Sequence, residues 1–231
     1  MHLFYLPQLS SSMQEVTLSE DESKHACRVL RLKSGDLVTL LDGVGGTYEA
    51  KIIDDNPKRC QVAILDYKQD EKPTFDIHIA IAPTKNMDRL EWFVEKATEL
   101  GVTRISLLLC DHSERKVVKL DRIEKIVVAA VKQSKRTYFP VLDELQSFQE
   151  FIKNHPVGAI AHCEDEEKKM IDTLATPFQF PVLIGPEGDF SLKEIEVAKK
   201  SGYQFVSLGK TRLRTETAGL YACMALKSKF E

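Results

Sequence analysis

Two glycine-containing loops near the end of the sequence carry residue types that suit a small cofactor. The first is residues 185–188, Gly-Pro-Glu-Gly, which follow an apolar strand-like run and precede a helix start where Ser191 and Glu194 have capping-box spacing. The second is residues 208–218, which also follow a predicted strand and lead into a predicted helix. Ligands of α/β sheets bind beyond the carboxyl ends of the strands, so together the loops predict a pocket. Each loop alone is equally typical of an ordinary strand–helix turn.

Other catalytic signatures are missing from the sequence. It contains no G-x-x-x-x-G-K-[ST], no G-x-S-x-G and no H-E-x-x-H. The six histidines are dispersed, and the five cysteines never form a C-x-x-C pair. The sequence therefore predicts reduced, mostly buried thiols and no metal site, and it gives no support to a hydrolase or a metalloenzyme.

The charge of the chain is unevenly distributed. Its 231 residues carry a net charge of −3, with 43% hydrophobic and 29% charged residues, which is typical of an ordinary globular protein. Residues 112–136, the basic strip, contain eight Lys and Arg residues but only three Asp and Glu residues. Residues 141–200 contain six Lys and Arg residues and twelve Asp and Glu residues, so this segment is acidic. The basic strip could meet phosphates, although charge alone favours a solvated helix face.

The first 70 residues predict mainly β structure. A capping box at Ser19 and Glu22 opens a helix through about Leu30. Strands are expected at 3–6, 37–41, 47–53 and 60–67. Short, closely spaced strands separated by turn residues indicate a small barrel, and residues 68–74 form the best linker candidate.

From residue 75 strands alternate with helices, which predicts an α/β fold with a mostly parallel sheet. The predicted strands cover 75–82, 104–109, 157–162, 182–184 and 204–208. The predicted helices cover 89–100, 120–135 and 147–154, with a short one before residue 182 and others from 191 and up to 227. Because the N-terminus lacks signal-peptide features and the apolar runs are short, we expect a cytoplasmic protein without a membrane partner.

Six motifs in a fixed order make the chain recognisable. It resembles the bacterial family of ribosomal RNA small subunit methyltransferase E, within the knotted SPOUT class of S-adenosylmethionine (SAM) enzymes, over essentially its whole length. The motifs are HACRVLR at 25–31, EKATELGV at 95–102, SER at 113–115, QSKR at 133–136 followed by Pro140, GPEG at 185–188 and LRTETA at 213–218.

The resemblance implies two domains, a PUA-like RNA-binding β-barrel at 1–70 and a SPOUT α/β domain with a trefoil knot at 71–231. It further implies a homodimer that methylates N3 of a uridine in small-subunit (16S) ribosomal RNA. The rRNA substrate would be part of an assembled or nearly assembled small subunit. Two positions depart from the family pattern. Asp189 stands where a second glycine is usual, and Leu213 stands where isoleucine is usual.

The resemblance also implies the site residues. Arg214, or Arg136 from the facing subunit, would stabilise the uridine anion from which N3 attacks the methyl group, and Glu187 would organise the loop. The alternative for Arg214 is an ion pair with Glu216 or Glu187. The residues expected to bind SAM are His162, Ile184, Gly185, Glu187, Gly188, Leu208, Gly209, Leu213, Arg214 and Thr217.

RNA contacts are expected on both predicted domains. His25, Arg28 and Arg31 would share one helix face, a spacing that by itself favours an ordinary amphipathic surface. Arg115 and Arg136 belong to the basic strip. Two rival functions remain at this point, a SPOUT enzyme that methylates another RNA position such as a ribose 2′-OH, and a non-catalytic ribosome-assembly factor that binds RNA.

Overall fold

A computed structural model describes residues 2–174 and 180–229. The chain forms two compact units. Unit 1 consists of Met1–Lys72 and Val131–Phe139, and unit 2 consists of Pro73–Ala130 and Pro140–Glu231. The division into domains 1–70 and 71–231 stays a prediction.

Unit 1 is built on a five-stranded sheet in the order β1-β3-β4-β5-β2. The strands are β1 Leu3–Tyr5, β2 Glu15–Thr17, β3 Leu37–Leu41, β4 Gly46–Asp54 and β5 Gln61–Gln69. β1 pairs with β3 in parallel, and the other neighbours are antiparallel. The β4–β5 register shifts after Glu49 and after Ile52, and such bulges bend strands, which suits a curled sheet around an apolar core.

The predicted N-terminal helix has two different windings. Helix α1 spans Glu20–Lys24, with the Ser19 side chain accepting a hydrogen bond from the Glu22 N–H at 3.3 Å. It continues as a π-helix over His25–Val29. A π-helix has more residues per turn than an α-helix, so the i, i+3, i+6 spacing used in the prediction does not define one face here. Arg31 lies beyond the π-helix in the left-handed region, with φ 58°.

Unit 2 contains a seven-stranded, all-parallel sheet in the order β10-β12-β9-β11-β6-β7-β8. Its strands are β6 His78–Ile81, β7 Arg104–Leu109, β8 Val141–Ser147, β9 Ala159–Ala161, β10 Lys169–Met170, β11 Val182–Ile184 and β12 Gln204–Ser207. The helices that follow α1 are α2 Met87–Leu100, α3 Leu120–Ser134, α4 Phe148–Asn154, α5 Leu192–Lys200 and α6 Thr215–Lys227, with a 3-10 turn at Ile171–Thr173.

The sequence pattern explains most of these elements. Every residue of β6 and β11 is buried, as expected for parallel strands covered on both faces. The predicted capping box of α5 is present, with Ser191 and Glu194 bonded reciprocally. β8 was missed because it is a mostly polar, half-exposed strand at the sheet edge. The trefoil knot stays a prediction.

Among the described residues, no helix is both long and apolar enough to cross a membrane. The three adjacent strands β12, β9 and β11 bring their carboxyl ends, and the loops that follow them, to one edge of the sheet.

Candidate functional site

A cavity of about 540 Å³ opens at the carboxyl ends of β9, β11 and β12. It is formed by the loops that follow these strands, together with the start of α6, all within unit 2. Its lining residues are Ala161, His162, Cys163, Lys168, Ile184, Gly185, Pro186, Glu187, Asp189, Val206, Ser207, Leu208, Gly209, Lys210, Thr211, Arg212, Leu213, Arg214, Thr215 and Ala218. The two loops selected from the sequence therefore lie side by side.

Most of the predicted cofactor residues meet in this cavity. His162, Ile184, Gly185, Glu187, Leu208, Gly209, Leu213 and Arg214 line it. Of the described residues on the predicted list, Gly188 and Thr217 lie outside the lining. Sequence reasoning did not select Lys168 or Asp189, although Asp189 stood out as a departure from the family pattern.

The glycines of the β11 loop make room for protein side chains. A Cβ at Gly185 would lie 3.0 Å from the Phe190 ring, and a Cβ at Gly188 would lie 3.1 Å from Cβ of His112. Close packing therefore accounts for these glycines. Gly209 has φ 118°, which side-chain-bearing residues rarely adopt.

Helix α6 begins at the cavity and is tied to the β11 loop. The Thr215 hydroxyl donates to the Gly185 carbonyl at 3.1 Å. Arg214 occupies the N-cap position, and its side chain is exposed. Within residues 2–174 and 180–229 the Arg214 guanidinium forms no ion pair. Glu216 pairs with Arg89 at 3.7 Å, and the Glu187 carboxylate accepts the Lys85 N–H. The predicted alternative for Arg214, an ion pair with Glu216 or Glu187, is therefore absent.

His162 is a buried side chain whose polar atoms lack protein partners. It is 7% exposed, and neither ring nitrogen has a hydrogen-bond partner among the described residues. Its ring meets Phe205 edge to face at 4.5 Å between centroids. Burial lowers the pKa of His162, and the charge of Lys168 acts in the same direction, which favours the neutral ring. Buried polar atoms normally find partners, which marks His162 as a ligand-binding candidate.

The loop that joins β6 to α2 lies against the β11 loop. The Glu187 carboxylate accepts a hydrogen bond from the Lys85 N–H at 2.9 Å. Arg115 donates to the carbonyls of Thr84 and Lys85 at 3.1 and 2.6 Å. This loop was missed by sequence reasoning, although Asn86 is a recognisable N-cap at the carboxyl end of a buried strand.

The structure separates the predicted RNA-binding residues into two groups. In unit 1, His25, Arg28 and Arg31 are exposed on and just after the π-helix, and half-buried Arg136 follows α3. In unit 2, Arg115 is half-buried and holds the backbone of the 84–85 loop.

Cysteine exposure differs along the chain. Cys60, Cys110 and Cys223 are buried, Cys27 is intermediate, Cys163 is exposed, and all five are free thiols. In the part of the chain that the structure describes, no group of three or more His, Cys, Asp and Glu side chains could hold a metal ion.

Two family models match the chain. An RNA methyltransferase domain matches residues 70–227, and an RNA methyltransferase PUA domain matches residues 18–65. Among curated proteins, the ribosomal RNA small subunit methyltransferase E of Synechocystis sp. is 31% identical over 230 residues, which cover 94% of this chain and 74% of the relative. The protein of the same name from Rickettsia conorii is 27% identical, with 94% and 91% covered.

Solved structures agree with this assignment. A Porphyromonas gingivalis protein described as a probable rRNA methyltransferase is 38% identical, with a TM-score of 0.90 and 100% of both chains covered. The ribosomal RNA small subunit methyltransferase E of Neisseria gonorrhoeae, bound to SAM, is 29% identical, with a TM-score of 0.86 and 99% and 98% covered. The chain therefore belongs to the ribosomal RNA small subunit methyltransferase E family of RNA methyltransferases.

Proposed function

We propose that this protein binds SAM in the cavity of unit 2 and methylates N3 of one uridine in small-subunit ribosomal RNA. The observation that carries the proposal is the cavity itself, at the carboxyl ends of three parallel strands. Its wall includes His162, whose ring nitrogens have no hydrogen-bond partner among the described residues. Relatives that share the fold over nearly their whole length contain SAM in their structures.

The residues present fit SAM. A volume of about 540 Å³ is in the range of small-molecule sites. His162 offers a donor and an acceptor for an adenine or ribose group, and Lys210 and Arg212 are cations that suit the carboxylate of the methionine portion. When bound, SAM supplies an electrophilic methyl carbon on its sulfonium.

The chain's own residues would then hold the uridine and stabilise its anion. N3 of uridine is a weak acid, and it must lose its proton before its lone pair can attack. A guanidinium beside O2 or O4 favours the anion, and Arg214 suits this role because it is exposed at the cavity and forms no ion pair within the described chain. Arg136 of a partner subunit is the other candidate, in a homodimer.

Glu187 suits an organising role. Its carboxylate holds the 84–85 loop through the Lys85 N–H, and its carbonyl accepts a hydrogen bond from Arg212 at 3.3 Å. Three loops of the site thus meet at one residue. Arg115 holds the 84–85 loop as well, through the carbonyls of Thr84 and Lys85.

Contact with RNA would extend beyond the reacting base. The exposed cations Arg28 and Arg31, with His25, would bind the phosphate backbone from unit 1, and Arg115 and Arg136 would add further contacts. We expect the substrate to be an assembled or nearly assembled small subunit, and the protein to act in the cytoplasm.

The proposal is tested by methyl transfer in vitro. Purified protein is incubated with labelled SAM and small subunits from a strain lacking the gene, and the rRNA is digested to nucleosides. We expect label in 3-methyluridine, about one per subunit. Label in a ribose 2′-O-methyl nucleoside would contradict the choice of N3, and no transfer to rRNA would contradict the proposal as a whole.

A further inference from the structure

Asp189 has a backbone conformation for which an aspartate is not required. It ends the turn after β11, where its N–H donates to the Pro186 carbonyl at 2.9 Å, and its φ is 64°. Glycine adopts this left-handed region at no cost, and aspartate tolerates it better than most residues. Glycine is the residue that the family resemblance implies here, so the reason for aspartate must lie in its side chain.

The Asp189 carboxylate joins two loops of the cavity. Its Oδ2 accepts a hydrogen bond from the Cys163 N–H at 2.7 Å, and its Oδ1 accepts one from the Phe190 N–H at 2.8 Å. Cys163 belongs to the loop after β9, whereas Asp189 belongs to the loop after β11, and these strands are neighbours. Both residues line the cavity.

The turn that carries Asp189 is itself anchored. Nδ1 of His112, in the loop after β7, donates to the carbonyls of Gly188 and Asp189 at 3.0 and 3.1 Å. The carboxylate therefore links this anchored turn to the loop after β9. His162 directly precedes Cys163, so a bond to the Cys163 N–H also restrains the backbone from which the His162 ring extends.

We infer that Asp189 is a positioning residue that holds the loop after β9 in its cofactor-binding arrangement before the cofactor arrives. The inference rests on the proposed binding of SAM in this cavity. A hydrogen bond from a backbone N–H to a carboxylate is stronger than one between neutral groups. A loop ordered in advance does not lose conformational freedom on binding, which raises affinity without adding a contact to the ligand.

Two variants of Asp189 test this role. Asp189→Gly keeps the backbone conformation and removes the acceptor, whereas Asp189→Asn keeps an oxygen that can accept from the Cys163 N–H. We expect calorimetric titration with S-adenosylhomocysteine to show affinity about tenfold weaker for Asp189→Gly and within about twofold of wild type for Asp189→Asn. Equal affinity in all three proteins, or equal weakening in both variants, would overturn the inference.

Two further readouts separate positioning from general damage. Without ligand, hydrogen exchange at the Cys163 amide should be faster in Asp189→Gly than in wild type. In methyl transfer, the KM for SAM should rise while kcat at saturating SAM stays near the wild-type value. Unchanged exchange at Cys163, or a loss of kcat with unchanged KM, would count against positioning.

Asp36→Gly provides the matched control. Asp36, in unit 1, also accepts a backbone N–H with its carboxylate, from Lys33 at 2.7 Å, and lies outside the cavity lining. Its replacement should leave affinity for S-adenosylhomocysteine unchanged, and a similar loss would overturn the assignment to Asp189. Failure of the wild-type protein to bind S-adenosylhomocysteine would contradict the proposed function too, whereas equal binding by wild type and Asp189→Gly would contradict this inference alone.

Discussion

The arginines around the cavity differ in what their guanidinium groups contact. Arg115 donates to the carbonyls of Thr84 and Lys85, and Arg212 donates to the Glu187 carbonyl. Arg89 pairs with Glu216. Arg214 is exposed at the cavity and, within the described ranges, has no ion-pair partner. Arg214 is therefore the guanidinium best placed to serve a substrate rather than the fold.

Replacing Arg214 by alanine should reduce single-turnover methyl transfer about a hundredfold, the usual cost of removing one donor to a developing anion. Affinity for S-adenosylhomocysteine should fall much less than the rate, because Arg214 is only one of the residues expected to bind SAM and the cavity keeps the others. Lys193→Ala, which removes an exposed cation of α5 outside the cavity lining, should retain the wild-type rate. Near-wild-type turnover in Arg214→Ala would show that another group stabilises the uridine anion.

At the residue scale, the sequence predicted the place of the cavity better than the contacts within it. The loops that hold Gly185, Leu208 and Arg214 were selected because they follow predicted strands, whereas the family resemblance implied the residues themselves. The parallel sheet brings these loops together. The bond from Cys163 to Asp189 joins residues on different loops, and no local pattern encodes it. Contacts of this kind depend on the strand order, which periodicity does not determine.

Helical segments show where local rules hold and where they fail. The capping box at Ser191 and Glu194 predicted the start of α5. A comparable pattern at Ser19 and Glu22 also marked a helix start, but the segment changes to a π-helix at His25. π-helical turns are rare in proteins and are enriched at functional sites, so this winding fits a role for the π-helix in binding.

Charge reversal on and just after the π-helix tests that role. The double variant Arg28→Glu with Arg31→Glu should bind small-subunit rRNA more weakly than wild type. The slope of log K against the logarithm of the salt concentration should become less steep by about one to two, because fewer counterions are released on binding. S-adenosylhomocysteine binding should be retained. A double reversal on α5, Lys193→Glu with Lys200→Glu, serves as control and should keep the wild-type slope. An unchanged slope in the π-helix variant would remove this segment from the RNA-binding surface.

A buried polar network links the first residues of β6 to β7 and β8. Nε2 of His78 donates to the Ser106 hydroxyl at 2.7 Å, which in turn donates to the Asp143 carboxylate at 2.5 Å. Burial lowers the pKa of His78 to about 4, and the charges of His155 and Arg104 act in the same direction. The unfolded chain, with an ordinary histidine pKa near 6.5, binds the proton first.

The free energy of unfolding should therefore decrease as the pH falls from about 6.5 towards 4. Proton linkage at His78 alone should lower the free energy of unfolding by about 2 kcal/mol between pH 7 and pH 5. Urea titrations of wild type and His78→Asn at pH 7 and pH 5 measure it, and the variant should lose less stability on acidification. Equal losses in both proteins would show that His78 does not cause the acid sensitivity.

For the whole molecule, the organisation of the two units goes beyond what composition and periodicity predict. Segment Val131–Phe139 belongs to unit 1. It begins with the last turn of helix α3, although the rest of α3 belongs to unit 2. Backbone hydrogen bonds from Gly45 to Thr137 and from Phe139 to Gly43 hold it there, at 3.0 and 2.9 Å. These long-range bonds have no local signature in the sequence. The net charge of −3 does not reveal the basic strip either, because the acidic residues of 141–200 offset its positive charge.

The central claim, methylation of uridine N3 in small-subunit rRNA, is tested most directly by mapping modified nucleotides in cells. Methylation at N3 blocks the base-pairing edge of uridine, so it stops reverse transcription at that position. We predict one stop in small-subunit rRNA that disappears in a deletion strain, returns with the wild-type gene and does not return with Arg214→Ala. A modification map that is identical with and without the gene would contradict the account.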